Sequence, residues 1–238
     1  MLGIIGSIFL SWLLLNYVQH KSLAVLGLRP TPSRMRQLGT GLALAMVFFV
    51  LFELIVSALV HNPYHFHEGY HLAELGRACW SLFKSIAFED LLFRGALLYI
   101  AMERLGAQKG LLLSAVTFGI YHWFSWNAFG NPSAMLVIFL MTASAGYVFA
   151  LAFERTGSMY LGAGLHFGVD FASAILFSQD KGFGQQLLVR TYAKDPVTPA
   201  SWIVILVIII HFTGFQILSF WLLKRMKKVK IDHGNDRN

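Results

Sequence analysis

The chain alternates between long apolar runs and short polar segments. Runs near the roughly 20 residues that a helix needs to cross a bilayer lie at 38–60, 78–102, 110–127, 133–153, 158–178 and 200–223. A shorter run at 1–18 lacks a basic start and a small-x-small cleavage pattern, so we interpret it as a retained helix and not as a signal peptide. The pattern predicts an all-α, polytopic transmembrane helical bundle of about seven spans.

Composition supports lipid as the solvent of this chain. Of its 238 residues, 56% are hydrophobic and only 13% are charged, whereas soluble domains carry about 25% charged residues. We divide the chain into N-terminal membrane helices with a loop (1–76), a central membrane core (77–178), and a final segment that holds a loop, the last helix and a basic tail (179–238).

The net charge of +7 is unevenly distributed along the chain. When the short loops are assigned alternately to two sides, thirteen Lys and Arg residues fall on one side and four on the other. This positive-inside pattern predicts an outside N-terminus and a cytoplasmic C-terminus. The basic tail that begins at Lys224 should then lie beside anionic lipid. We expect the lipid bilayer as a partner and no nucleic acid, and the sequence specifies no oligomeric state.

Segment 78–102 carries four charged residues, Lys84, Glu89, Asp90 and Arg94. Four charges at the centre of a membrane helix cost on the order of 10 kcal/mol, and about a dozen apolar residues return roughly half of that. Alone in lipid, this helix would be unfavourable. Other helices must therefore enclose it, or it must line a wet cavity.

Three of the predicted spans carry pairs of residues four positions apart, which share one helix face. The pairs are Asp90 with Arg94, Phe118 with His122, and His166 with Asp170. Glu89 lies about 100° around its helix from Asp90, so it is left for a different partner. A carboxylate one turn from an imidazole can fix its tautomer, or the two can converge on a substrate or a metal. Buried titratable groups on three helices predict a chemical site, with a structural charge network as the alternative.

Other polar residues have simpler interpretations. Glu53 and His211 have no partner at helical spacing, and for Glu53 a structural hydrogen bond is favoured over a place in the same cavity. The histidines of the His61–His71 loop fit no closed metal site, so we expect an exposed polar loop. Gly164 and Gly168 form a small-xxx-small face that allows close helix contact near His166.

The three pairs carry a resemblance to a known family. Residues 89–94 resemble E-[ED]-x-x-x-R, residues 118–122 resemble F-x-x-x-H, and residues 166–170 resemble H-x-x-x-[ND]. These are the motifs of the CAAX-protease and bacteriocin-processing (abortive-infection, type II CAAX prenyl endopeptidase-like) family of intramembrane endopeptidases. Asp90 and Asp170 stand where the eukaryotic prenyl-protein peptidases have Glu and Asn, as expected among bacterial branches.

This resemblance implies hydrolysis of a peptide bond in a membrane-associated protein or peptide by an activated water. Glu89 would be the general base, His122 would hold the water, and His166 would stabilise the oxyanion. Asp170 would support His166, because an ionised carboxylate only accepts hydrogen bonds. Arg94 would position Asp90, and Phe118 would support the site. The substrate could be prenylated, a leader peptide or a C-terminal tail, and the location would be the inner (plasma) membrane of a bacterium.

No cofactor is favoured, and zinc is the alternative. Glu89, His122, His166 and Asp170 would then be the ligands of a metallopeptidase, although the sequence lacks His-Glu-x-x-His. Two further functions stay open at this point. The buried groups could form a transporter or proton pathway, although no inverted repeat is visible. The chain could also be a non-catalytic immunity or assembly partner with a peptidase-like fold.

Overall fold

The computed structural model describes residues 1–177, 187–190, 197 and 199–229, and these are mostly helical. The predicted loop 179–199 lies largely outside this range, with Lys181 and Lys194, and the tail beyond residue 229 lies entirely outside it. The helices are α1 (Leu2–Leu14), α2 (Pro32–Leu59), α3 (Leu72–Arg94), α4 (Ala96–Leu105), α5 (Ala107–Ser125), α6 (Pro132–Thr156), α7 (Tyr160–Asp170), α8 (Ser201–Ile209) and α9 (Phe215–Arg225). Helical turns of π type extend α1 through Leu15–Gln19 and α7 through Phe171–Leu176, and Ile210–Gly214 joins α8 to α9. A short 3-10 helix covers Leu23–Leu26.

Helix α2 begins earlier than the predicted span 38–60. Thr31 caps its first turn by accepting a hydrogen bond from the backbone N–H of Arg34 at 3.3 Å. Proline at the next position suits a helix start, because its ring fixes φ and no helical partner is lost. Asn131 and Pro132 start α6 in the same way. The residue at which each of these helices begins is therefore set by local capping and not by the limit of the apolar run.

The prediction of one continuous span over 78–102 is wrong, because the helix breaks at Gly95. This residue has φ −81° and ψ −133°, which is outside the helical region, and it separates α3 from α4. A side chain at this position would overlap the carbonyl oxygen of Leu91. The break follows directly after the buried charges, so α3 ends within the bundle and α4 continues to the opposite end.

Helices α2 and α7 are in close backbone contact. A Cβ built on Gly41 would lie 2.5 Å from the carbonyl oxygen of Leu161 and 2.7 Å from the backbone nitrogen of Leu165. From the other side, a Cβ on Gly168 would lie 2.6 Å from the Cβ of Ala45. The predicted small-xxx-small face of α7 is confirmed, and it seats the helix that carries His166 directly against α2.

The short basic loops contact one another at one end of the bundle. Arg104 donates to the carbonyl of Val18 at 3.3 Å, and the hydroxyl of Tyr160 donates to the carbonyl of Leu28 at 2.9 Å. The ammonium of Lys228 lies 2.8 Å from the carboxylate of Glu154. The basic loops and the start of the tail therefore share one end of the molecule.

A strand pair absent from the sequence prediction lies at the other end. Strand β1 (His65–Phe66) pairs antiparallel with β2 (Leu188–Val189), with His65 opposite Val189. The backbone N–H of His67 extends this pairing by donating to the carbonyl of Leu187 at 3.0 Å. The loop that follows α2 is therefore tied to the segment that follows α7.

Four helices in the described part of the chain are long and apolar enough to cross a membrane. They cover Leu2–Gln19, Pro32–Leu59, Pro132–Thr156 and Ser201–Arg225, and Tyr160–Leu176 is a shorter apolar helix. The broken and charged 78–102 segment and α5 do not meet the same criterion. The helical class of the fold is confirmed, whereas the count of seven spans and the sidedness of the termini stay predictions.

Candidate active site

An ionic cluster joins α3 to α7 inside the bundle. Asp90 Oδ1 lies 3.1 Å from Arg94 Nη1, as the spacing of four residues predicts, and also 3.1 Å from His166 Nδ1. His166 Nε2 lies 3.7 Å from Glu89 Oε2 and 3.4 Å from Asp170 Oδ2. Five of the residues singled out from the sequence therefore form one cluster, with the imidazole of His166 at its centre.

Both ring nitrogens of His166 face carboxylates. A carboxylate only accepts hydrogen bonds, so the ring satisfies both sides when it carries a proton on each nitrogen. Nδ1–H then donates to Asp90, and Nε2–H faces Glu89 and Asp170. Asp90, on another helix, is the carboxylate that bonds to Nδ1 and fixes the protonation of this nitrogen. Sequence spacing had suggested this role for Asp170.

Burial is uneven across the cluster. The side chains of Arg94, Asp90 and His166 are at most 5% exposed, whereas the side chain of Asp170 is 37% exposed. Glu89 is also buried, and its Oε1 accepts a long hydrogen bond of 3.5 Å from Ser85. The cluster therefore has a closed side at Arg94 and an open side at Asp170.

His122 joins this cluster through an aromatic ring. Its Nδ1–H donates to the carbonyl oxygen of Phe118 at 2.8 Å, so in the neutral ring Nε2 is the nitrogen that accepts. The Phe118 ring contacts both imidazoles, with its centroid 4.4 Å from that of His122 and 5.8 Å from that of His166. Among the described residues, His122 forms no hydrogen bond or ion pair with Glu89.

Aromatic faces enclose the closed side of the cluster. The guanidinium carbon of Arg94 lies 3.8 Å from the ring centroid of Phe118 and 5.2 Å from that of Phe149. Phe149 also stacks on the His166 ring, with centroids 4.7 Å apart and planes at 24°. Sequence reasoning found Phe118 from its spacing to His122. It missed Phe149, which lies on α6 in an apolar run that contains no distinguishing pattern.

The same geometry bears on the alternative zinc site. Within the residues that the structure describes, no group of three or more His, Cys, Asp and Glu side chains could hold a metal ion. Nδ1 of His166 bonds to Asp90 and Nδ1 of His122 bonds to a backbone carbonyl, which leaves Nε2 of each ring as the nitrogen available to another partner. The metallopeptidase description is therefore not supported by the described residues.

Glu53 belongs to a separate cluster at the strand-bearing end. Its Oε2 accepts hydrogen bonds from the hydroxyl of Tyr64 at 2.7 Å and from Arg190 Nη2 at 3.0 Å. Burial, together with the hydrogen bond and the charge of Glu53, raises the pKa of Tyr64, while Arg190 opposes this rise. The structural interpretation of Glu53 is confirmed.

The histidine loop lies at the same end. His61, His65 and His71 are exposed, and His67 is partly buried. This agrees with an exposed polar loop, although the strand pairing with residues 188–189 was not predicted.

A buried carboxylate and imidazole cluster inside a bundle of apolar helices is the kind of site that a membrane-embedded enzyme needs. More particularly, residues 71–172 match the family model described as Rce1-like, type II CAAX prenyl endopeptidase Rce1-like. This segment is an Rce1-like domain, it contains all three motifs, and the resemblance stated from the sequence is confirmed. No curated protein and no solved structure matches the chain. The family and the apolar helices make the chain an integral membrane protein, and the family implies CAAX-type intramembrane proteolysis.

Proposed function

We propose that this protein is an intramembrane endopeptidase that hydrolyses a peptide bond of a membrane-associated protein or peptide by an activated water. One observation carries the proposal. In an Rce1-like domain, the carboxylate of Glu89 faces the Nε2 of His166 at 3.7 Å, inside a cluster that three carboxylates and two cationic groups form. These two atoms are close enough that one point on the open side can lie about 3 Å from both, and the water and the reacting carbonyl group would meet there.

Glu89 takes a proton from the water, and the resulting hydroxide attacks the carbonyl carbon of the peptide. The tetrahedral oxyanion then accepts a hydrogen bond from His166 Nε2–H. Glu89 passes the proton to the leaving nitrogen, the C–N bond breaks, and a carboxylic acid and an amine are released. His122 Nε2 orients the water by accepting its second hydrogen, because Nδ1 is held by Phe118.

Asp90 holds His166 in the doubly protonated form that can donate to the oxyanion. Arg94 shares Asp90 and offsets the negative charge of the three carboxylates. Asp170 lies one turn from His166 at the open side, where it orients the ring and meets the substrate first. This assignment gives Asp170 a supporting role and leaves oxyanion stabilisation to His166.

We propose further that the reaction uses no metal. This is supported by the described residues, in which no group of three or more His, Cys, Asp and Glu side chains could hold a metal ion. Cleavage should survive a strong chelator that strips zinc, and elemental analysis of the active protein should find less than one metal ion per chain. Inactivation by the chelator with recovery on zinc addition would contradict this part of the proposal.

The substrate is expected to reach the site from the membrane. A prenylated C-terminal peptide, a leader peptide or a C-terminal tail are the candidates, and the membrane is proposed to be the inner (plasma) membrane of a bacterium. The contacts among basic loops at one end support a cytoplasmic C-terminus and an external N-terminus. Comparing the membrane proteomes of cells with wild-type protein and with Glu89→Gln would identify proteins that only the wild type shortens.

The decisive test is Glu89→Gln in purified protein reconstituted in lipid nanodiscs. The probe is an internally quenched peptide that ends in a farnesylated Cys-a-a-X sequence, together with the same peptide without the lipid. General acid–base catalysis contributes about 10²- to 10⁴-fold, so cleavage should fall by at least about 100-fold. Glu53→Gln is the matched control, because it makes the same change in a membrane helix outside the cluster, and it should retain cleavage. Equal cleavage by wild type and Glu89→Gln would refute the proposed mechanism.

A further inference from the structure

Helix α6 contains none of the motif residues, yet one of its side chains forms a wall of the site. Phe149 is 2% exposed and stacks on the His166 ring, with centroids 4.7 Å apart and planes at 24°. The same ring lies 5.2 Å from the guanidinium carbon of Arg94. Phe149 therefore contacts both His166 and Arg94, the two cationic groups that offset the charge of the three carboxylates.

The stack constrains a motion that hydrogen bonds leave open. The bond from Nδ1 to Asp90 restrains rotation of the imidazole about Cβ–Cγ, but a hydrogen bond still tolerates tilting of the ring plane. A flat aromatic surface in contact with the ring removes this tilting and fixes the plane in which Nε2–H points. The face of an aromatic ring also carries negative potential, which favours a neighbouring cation. Phe149 thus suits the doubly protonated His166 better than an aliphatic side chain would.

The backbone behind Phe149 is held closely as well. A Cβ built on Gly162 would lie 2.9 Å from the carbonyl oxygen of Phe149, so α6 and α7 approach each other at this point. Phe118 also meets the His166 ring, edge-on at 85° and with centroids 5.8 Å apart. The imidazole therefore contacts one stacked and one nearly perpendicular aromatic ring.

A neighbouring residue shows that burial on α6 does not by itself produce such a contact. Phe153 lies one turn further along the same helix and is 1% exposed. In the described part of the chain, Phe153 forms no ring contact with an aromatic or imidazole side chain. The two phenylalanines share chemistry, helix and burial, and they differ in their contact with the cluster.

We propose that Phe149 is a positioning residue for peptide hydrolysis, which fixes the plane of His166 so that Nε2–H points at the oxyanion. This inference rests on the proposed function.

Its kinetic test compares Phe149→Leu, Phe149→Tyr and Phe153→Leu in nanodiscs with the quenched farnesyl peptide. Displacement of a reacting group by about 1 Å costs up to about 100-fold in rate, so Phe149→Leu should lower kcat by roughly 10- to 100-fold with KM nearly unchanged. Phe149→Tyr, which keeps the aromatic face, should restore most of kcat, and Phe153→Leu should keep it.

A second measurement is independent of the reaction. Protein labelled with ¹⁵N and ¹³C histidine is examined by NMR, and the His166 signal is assigned by its loss in His166→Asn. The ring current of Phe149 should shift the His166 ring signals upfield in wild type. This shift should disappear in Phe149→Leu and persist in Phe153→Leu.

The outcomes separate the two proposals. If wild type shows no cleavage that depends on Glu89 but the His166 shift depends on Phe149, the enzymatic proposal fails while the positioning contact stands. If His166 signals are unmoved in Phe149→Leu, or move equally in Phe153→Leu, the inference is overturned. Equal losses of kcat and of thermal stability in the two leucine variants would also overturn it, because they would show a general packing role.

Discussion

The contact between α2 and α7 yields a sharp prediction for Gly41→Ala. Gly41 faces α7 beside the residue that precedes His166, and an added Cβ would lie 2.5 Å from the carbonyl oxygen of Leu161 and 2.7 Å from the nitrogen of Leu165. Both neighbours are backbone atoms, so no side-chain rotation can relieve the overlap. The two helices must separate.

The size of the effect follows from these distances. Ordinary van der Waals contact begins at 3.4 Å, so the backbones must move apart by about 1 Å. Overpacking of this kind costs about 1 to 3 kcal/mol, and the better helix propensity of Ala offsets about 1 kcal/mol. We expect a net loss of up to about 2 kcal/mol relative to wild type, which corresponds to a fall in melting temperature of up to roughly 8 °C. Because His166 moves with α7, kcat should fall by about 10- to 100-fold.

The measurement is thermal unfolding in nanodiscs together with cleavage of the quenched peptide. Gly39→Ala is the matched control on the same helix, because a Cβ at Gly39 meets nothing within 4 Å. This control should melt at the wild-type temperature or slightly above it and keep its kcat. Identical melting and kcat for the two alanine variants would refute the argument that backbone contact between α2 and α7 positions His166.

Three further predictions concern the charged clusters. Asp90→Asn removes the charge shared by Arg94 and His166 and should cost about 3 to 5 kcal/mol in denaturant unfolding; a loss below about 1 kcal/mol would contradict the shared-partner geometry. Because the pKa of Tyr64 is raised, the folded protein keeps the phenol proton at pH values where the unfolded chain releases it, near the ordinary pKa of 10.0. The stability that this group contributes is therefore complete below pH 10 and is lost as the pH rises further. Thermal unfolding across this range should show a smaller loss in Tyr64→Phe than in wild type, and equal losses would argue against the buried phenol. Lys228→Ala should change stability by less than about 1 kcal/mol despite the 2.8 Å ion pair, because the lysine side chain is 51% exposed, and a larger loss in unfolding would show that the tail is held by more than this contact.

The sequence by itself determined the contacts between residues that lie one helical turn apart. Residues four apart lie on one face whatever surrounds the helix. The pairing of Asp90 with Arg94 and the short distance from His166 to Asp170 therefore followed from spacing. The bond from His122 to the carbonyl of Phe118 spans the same interval. Apolar run lengths likewise predicted the helical class, and the charges in α3 predicted that this helix is enclosed.

Only the tertiary structure decided which helix faces meet. The bond from Asp90 to His166 joins residues 76 positions apart, and it depends on how α3 and α7 are rotated and docked. Docking also places Phe149 in the site. Its neighbours in sequence are apolar, so the sequence does not indicate which face of α6 points toward His166. The break at Gly95 and the partners of Glu53 also depend on neighbours distant in the chain. Helix geometry is local and can be read from spacing, whereas docking is set by the summed packing of all helices, which no single segment encodes.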